Sequence, residues 1–327
     1  MRCISRAKSA ALVCVASISL FTGGCIGGKG ATPVTAYELK NYNQDLYQGK
    51  LYAEELCVAQ NDVALEGYTE DTELHSAALF DLTGERVLYS YKAHERLYPA
   101  STTKIMTALL AIENTNLDDQ VTISGNADAS SFPADAQVCG LAKGEVWTLR
   151  DLLGALLLYS GNDAATAIAE YVGGSEAFVN MMNRRAQELM ANGTHFMNPH
   201  GLHDDNHYTT AYDLYLIFNE CIKHEDFVNI IQSEAYTAYY TDVDGNSQEA
   251  LFTPTNLYAQ GEVDVPENVT IVGGKTGTTD EAGYCLILME KDSSDNPYIS
   301  IVMGASEKPV LYEDMTSLIE AIPSGQQ

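Results

Sequence analysis

The sequence predicts an α/β protein of the α+β kind: an antiparallel sheet flanked by helices on both faces, with a helical subdomain beside it. Three observations predict it. Strand-like segments occur near residue 80 and return after residue 270, a block of helical periodicity fills the middle, and turn residues separate the late strands.

Arg2, Arg6 and Lys8 precede an apolar run from Ala10 to Phe21. The run is too short to span a bilayer and suits the h-region of an export signal. It ends in Thr22-Gly23-Gly24-Cys25, which resembles a bacterial lipobox, although Thr22 stands where Leu is common. Residues 1–24 are therefore expected to be a lipoprotein signal peptide. Cys25 would carry the lipid, making the protein extracytoplasmic and membrane-anchored; an ordinary signal peptide cut nearby would leave it secreted. Residues 25–60 read as a tether, opened by Gly27, Gly28, Gly30 and Pro33 and continued by a polar, Tyr-rich stretch. Residues 61–327 are the expected folded domain.

Within that domain, Ala77–Asp81 and Arg86–Tyr91 flank the Gly-containing turn Leu82-Thr83-Gly84-Glu85, the pattern of a hairpin. Ser101–Asn114 places Ile105, Leu109 and Ile112 at helical spacing. A second helix starts at Thr148, whose side chain can cap it with Asp151 three residues on; its leucines surround it, so it should be buried. A third follows Ser160-Gly161-Asn162 and ends at Gly173-Gly174. Ser175 caps a fourth, stopped by Gly193, and a fifth runs from Thr210 to Ile222. Thr270–Thr278, Tyr284–Glu290 and Tyr298–Met303 are β-rich, and Tyr312–Ala321 is the closing helix.

The chain holds 45 acidic and 18 basic residues, and since Arg2, Arg6 and Lys8 lie in the signal, the remainder carries 15 basic residues and a net charge of −30. Such a surface repels nucleic acid and anionic lipid headgroups. Nucleic-acid binding is excluded. Cys57, Cys139, Cys221 and Cys285 are scattered without a C-x-x-C pair and read as free thiols.

Three short motifs occur in order: Ser101-Thr102-Thr103-Lys104, Ser160-Gly161-Asn162 and Lys275-Thr276-Gly277. Ser5-Arg6-Ala7-Lys8 and Ser124-Gly125-Asn126 repeat two of the patterns, but the first lies in the signal and the second follows Ser101 too closely. Ser101, at a helix start, has a backbone N–H free for an oxyanion and a hydroxyl near the positive end of the helix dipole. Lys104 projects from the same helical face. It can act as a base only when neutral, and Lys275 is the cation expected to keep it so, together with burial. Ser160 is placed to relay a proton, and Asn162 offers an amide to a substrate backbone. Lys275, Thr276 and Thr278 can bind a carboxylate, the glycines including Gly277 let a substrate strand approach, and the Thr278 N–H can complete an oxyanion hole.

These motifs, in this order, are the signature shared by penicillin-binding proteins and serine β-lactamases. YPASTTKIM at 98–106, SGNDAA at 160–165 and THFMNPHGLHDDNHYTTAYD at 194–213 resemble the low-molecular-mass D-alanyl-D-alanine carboxypeptidases over roughly residues 65 to 320. The resemblance implies a β-lactamase/transpeptidase-like fold and a serine hydrolase without metal or cofactor. Ser101, Lys104 and Ser160 would be catalytic, and Asn162, Lys275, Thr276, Gly277 and Thr278 substrate-binding. Its partners would be peptidoglycan stem peptides ending in D-Ala-D-Ala, β-lactam antibiotics, and the membrane through Cys25. Relatives often carry a C-terminal β-domain and an amphipathic membrane helix; this sequence ends about 50 residues after Lys275, so the lipid is expected to replace that anchor. A β-lactamase is the alternative enzyme, disfavoured because no E-x-x-L-N element lies between Asn162 and Lys275. A non-catalytic penicillin sensor or scaffold is the other alternative, disfavoured by the intact Lys104 and Ser160. The cluster His200, His203, Asp204, Asp205 and His207 fits no zinc spacing and reads as a structural loop. Met181, Met182 and Met190 read as core fillers.

Overall fold

The strand β1 (Ser76–Asp81) is buried at every position, which places it inside a sheet with both faces covered. A turn in which the Gly84 N–H donates to Asp81 Oδ1 at 2.8 Å leads to β2 (Arg86–Tyr91), its antiparallel partner. In this computed structural model the described residues are 55–58, 61–65 and 76–323, all within one compact unit, Tyr52–Gln327. The expected signal, Cys25 and most of the tether lie outside them.

After β2 a 3-10 turn, Ala100–Thr103, runs directly into α1 (Lys104–Asn114), whose residues Lys104 to Ala111 are all buried. Then come two short strands, β3 (Gln120–Thr122) and β4 (Val146–Thr148). Thr148 ends β4 and caps α2 (Leu149–Gly154), its hydroxyl accepting from the Asp151 N–H. The helix widens into a π turn, Ala155–Tyr159, and stops at Ser160 in the left-handed conformation. Next are α3 (Asn162–Val172), α4 (Ser175–Glu188), α5 (Ala211–Cys221), capped by Thr210, and α6 (Glu225–Ile231). A hairpin of β5 (Tyr236–Thr241) and β6 (Ser247–Phe252) precedes a single turn, α7 (Leu257–Gln260). The chain closes with β7 (Val269–Thr279), β8 (Gly283–Asp292), β9 (Pro297–Ala305) and α8 (Lys308–Glu320).

The main sheet is antiparallel in the order β2-β1-β9-β8-β7, so β7 is an edge strand. Alternation sorts its side chains. Ala78, Phe80, Ile287, Ile299 and Ile301 face the helical subdomain, whereas Leu79, Leu286, Leu288 and Val302 face Leu311, Met315, Leu318 and Ile319 of α8. The predicted sheet with helices on both faces is therefore observed.

A second antiparallel sheet, β3-β4-β5-β6, was not predicted, nor was α6. Two of its strands are three residues long, and β6 is mostly polar and exposed, so neither periodicity nor burial marks them. Two boundaries also differ. Ser175 is the first residue of α4 rather than its cap; Gly174, at φ 87°, holds the cap position. That helix ends at Glu188, where Met190 turns at φ 64°, before Gly193 is reached. Met182 is buried as expected, but Met190 is 54% exposed and fills no core.

Candidate active site

Each motif is delivered by the end of a secondary-structure element. Ser101 lies in the 3-10 turn, behind Ala100 at φ 47°. One helical turn on, Lys104 returns its amine to 2.8 Å from Ser101 Oγ. Gly201, at φ 89°, packs so close that a Cβ there would lie 1.8 Å from the Ala100 carbonyl oxygen. Only glycine fits, and that contact seats the 198–207 loop beneath the serine turn. From the other side comes β7. A Cβ on Gly277 would lie 3.0 Å from the Ser101 nitrogen, so the edge strand runs directly against the start of the helix.

The two lysines occupy one buried polar layer. The Lys104 amine, with the whole residue 0% exposed, lies 2.7 Å from Asn162 Oδ1 and 2.6 Å from the His200 carbonyl oxygen as well as beside Ser101. Lys275, 1% exposed, donates to Ser160 Oγ at 2.9 Å and to the Thr276 carbonyl at 2.8 Å. Burial, and then the neighbouring Lys275, hold Lys104 well below the usual lysine range. Burial alone pushes Lys275 down to about 7. Burial and the neighbouring Lys275 both favour the neutral form of the Lys104 amine.

Protonation fixes the direction of the hydrogen bonds. A neutral amine has two N–H groups and one lone pair. The Asn162 and His200 oxygens are acceptors only, so they take both N–H groups, and the lone pair is left for the Ser101 hydroxyl to donate into. This geometry can draw the proton of the Ser101 hydroxyl toward Lys104.

Ser101, Ser160, Asn162, Thr276, Gly277 and Thr278 line one cleft of about 770 Å³. All eight residues singled out by the motifs are therefore brought together, six on the wall and Lys104 and Lys275 beneath it. Cys25 lies outside the described residues. Sequence reasoning missed the His200 carbonyl, which only the folded 198–207 loop supplies. It also missed Thr255, whose hydroxyl lies 2.5 Å from that of Thr276. The histidines of that loop have structural partners. The His207 Nδ1 accepts from the Met197 N–H at 3.2 Å, so its Nε2–H donates to Thr103 Oγ1 at 2.8 Å. Burial pushes His200 down to about 3 and His207 down to about 4, so both are neutral. The decoy Ser124 and Asn126 both bind the Glu170 carboxylate, at 2.5 and 2.9 Å, away from this layer. Cys57, Cys221 and Cys285 are buried free thiols, and Cys139 is free and half-buried.

The D-alanyl-D-alanine carboxypeptidase family profile, Peptidase S11, matches residues 64–307. This chain belongs to that family. It is 34% identical over 254 residues to the D-alanyl-D-alanine carboxypeptidase DacF of Bacillus subtilis, covering 76% of this chain and 61% of the relative. A Streptomyces D-alanyl-D-alanine carboxypeptidase is 33% identical over 244 residues, covering 71% of this chain and 81% of the relative. The solved Streptomyces DD-transpeptidase superposes with a TM-score of 0.71 at 28% identity, covering 78% of this chain and 98% of that one. Penicillin-binding protein 5 of Haemophilus influenzae gives 0.68 at 27%, covering 78% and 72%. The chain spans about three fifths of several of the curated family members it matches. The antiparallel sheet with its helical subdomain is the fold this chain shares with these two solved structures.

Proposed function

We propose that this protein is a serine D-alanyl-D-alanine carboxypeptidase acting on peptidoglycan stem peptides and acylated by penicillin. The observation that carries the reading is the Lys104 amine, desolvated, with two carbonyl acceptors and the Ser101 hydroxyl at 2.8 Å. In this reaction the Ser101 hydroxyl gives its proton to Lys104 as Oγ bonds to the penultimate D-Ala carbonyl carbon. The resulting oxyanion is held by the Ser101 and Thr278 N–H groups. Collapse breaks the bond to the terminal D-Ala, whose nitrogen receives the proton from Lys104 by way of Ser160. Water then attacks the ester, giving one proton back to Ser101 through the same base. Asn162 positions the peptide backbone. Thr276, Thr278 and the Lys275 cation favour a free C-terminal carboxylate, the feature that suits a carboxypeptidase. The three charges Arg2, Arg6 and Lys8, the apolar run and Cys25 support export and a lipid anchor.

The test is D-Ala release from a peptide ending in D-Ala-D-Ala, with intact mass followed after penicillin addition. Wild type should release D-Ala and keep a lasting penicillin adduct, whereas Ser101→Ala does neither. Release by Ser101→Ala at the wild-type rate would sink the assignment. Rapid penicillin turnover without an adduct would favour a β-lactamase, and an adduct without D-Ala release a sensor.

A further inference from the structure

Asp163 belongs to the SGNDAA run but has no role in the chemistry above. It sits in the first turn of α3, 0% exposed. Its carboxylate accepts four backbone N–H groups: Oδ1 from Cys139 and Ala164, each at 3.0 Å, and Oδ2 from Gly140 at 2.9 Å and Leu141 at 3.0 Å. The Cys139 thiol donates a fifth bond at 3.1 Å. Four of the five donors belong to three consecutive residues, Cys139 to Leu141, of one irregular segment, 132–141. Pro133, Asp135, Ala136 and Gln137 of that segment line the cleft. The segment is also tied to the site by the Asn162 N–H, which donates to the Gln137 carbonyl at 2.8 Å. At the far end Phe132 meets His200 edge-on, with ring centroids 6.1 Å apart.

We propose that Asp163 is the positioning residue of this site, fixing segment 132–141 as a wall of the substrate cleft while supplying the negative charge that acts on the Lys104 amine. Each wall N–H that the Asp163 side chain binds fixes one more backbone group of the segment. Among the groups bearing on Lys104, burial and Lys275 of β7 lower its proton affinity, whereas the Asp163 charge of α3 raises it, and the Cys139 thiol of the wall is held neutral by burial. His200 and His207 of the neighbouring loop also face it, both neutral. Asp163 thus counters Lys275, keeping the base strong enough to take a proton while burial keeps it unprotonated. Gly161 completes the arrangement, since a Cβ there would lie 2.8 Å from both Asp163 Oδ1 and Cys139 Sγ.

The inference rests on the proposed roles of Ser101 and Lys104, so the experiment separates the two. Amide hydrogen exchange at Cys139, Gly140 and Leu141 would be followed in wild type, Asp163→Asn and Gly161→Ala. The penicillin acylation rate of each would be measured against pH. In Asp163→Asn an amide N–H₂ faces backbone donors, so exchange of those three amides should rise. Acylation should slow by roughly 10- to 100-fold, as for a misplaced catalytic wall. Loss of the negative charge lowers the proton affinity of Lys104, so the acid limb of the profile should also move to lower pH. Gly161→Ala displaces the carboxylate but keeps its charge, so acylation should slow with the limb in place. Unchanged exchange in Asp163→Asn, or an acid limb coinciding with wild type, overturns the proposal. Should Asp163→Asn not fold, wild-type exchange and acylation in Gly161→Ala would overturn it instead. A wild type that penicillin never acylates would overturn the reading of Ser101, while exchange would still decide whether Asp163 holds the wall.

Discussion

On the face of the main sheet that carries α1, Lys104 and Lys275 are buried with acceptors placed at each amine. On the face beneath α8, Glu290 is buried just as deeply, beside Ser300, and among the described residues neither carboxyl oxygen has a hydrogen-bond partner of good geometry. Burial pushes each group toward its neutral form: the lysines down, the carboxyl of Glu290 well above its usual range. A displaced proton affinity therefore does not by itself mark chemistry. The lysine face differs because its groups border a cleft, contact a hydroxyl and are held by partners from separate elements. Glu290 pairs with Ile271 and Tyr298 in the sheet, lies beside Ser300, and is not among the residues that line the cleft.

Substitutions can break this contrast. The largest expected effect is that of Lys104→Met, which should slow D-Ala release and penicillin acylation by roughly 1,000-fold, the scale of a lost general base. A near wild-type acylation rate would remove Lys104 from the mechanism. Next is Gly201→Ala. Its methyl group meets the Ala100 carbonyl in a left-handed backbone, so it should destabilise by roughly 3 kcal/mol and displace Ser101 as well. A thermal melt and an acylation rate together read both effects. Smallest is Glu290→Gln, which should leave acylation alone and alter only the pH dependence of stability. Because the folded state raises the Glu290 proton affinity, its stabilising contribution is complete below the ordinary value near 4.5 and is lost as pH rises toward the folded-state value. Wild type should lose at most about 1.4 kcal/mol per pH unit over that window from this one group. Glu290→Gln should show a flatter decline, and identical slopes from denaturant melts would refute the account.

The site was more legible in the sequence than the fold that carries it. Ser101 and Lys104 share one helical turn, so their meeting follows from local spacing alone. Lys275 and Ser160 are 115 positions apart, and only motif order joined them before the structure placed them at 2.9 Å. The His200 carbonyl and the wall held by Asp163 left no such trace, because backbone atoms brought in by loops have no letter of their own. The same holds for β3 and β4, three residues each: β3 pairs with β4 and β4 with Tyr236–Thr241, partners distant in sequence.

The π turn Ala155–Tyr159 has a consequence for how this site tolerates change in chain length. An ordinary helix advances about 100° per residue, and a π turn accommodates one residue more in a single winding. Because the extra residue is taken up within one winding, removing one residue there would tighten the turn to an ordinary one and leave Ser160 close to its present phase. A second deletion would find no such slack and would turn Ser160 by roughly 100° away from Lys275. Every motif letter would survive that second deletion, yet the serine would point elsewhere, so the π turn is a single residue of slack in the length between Thr148 and Ser160.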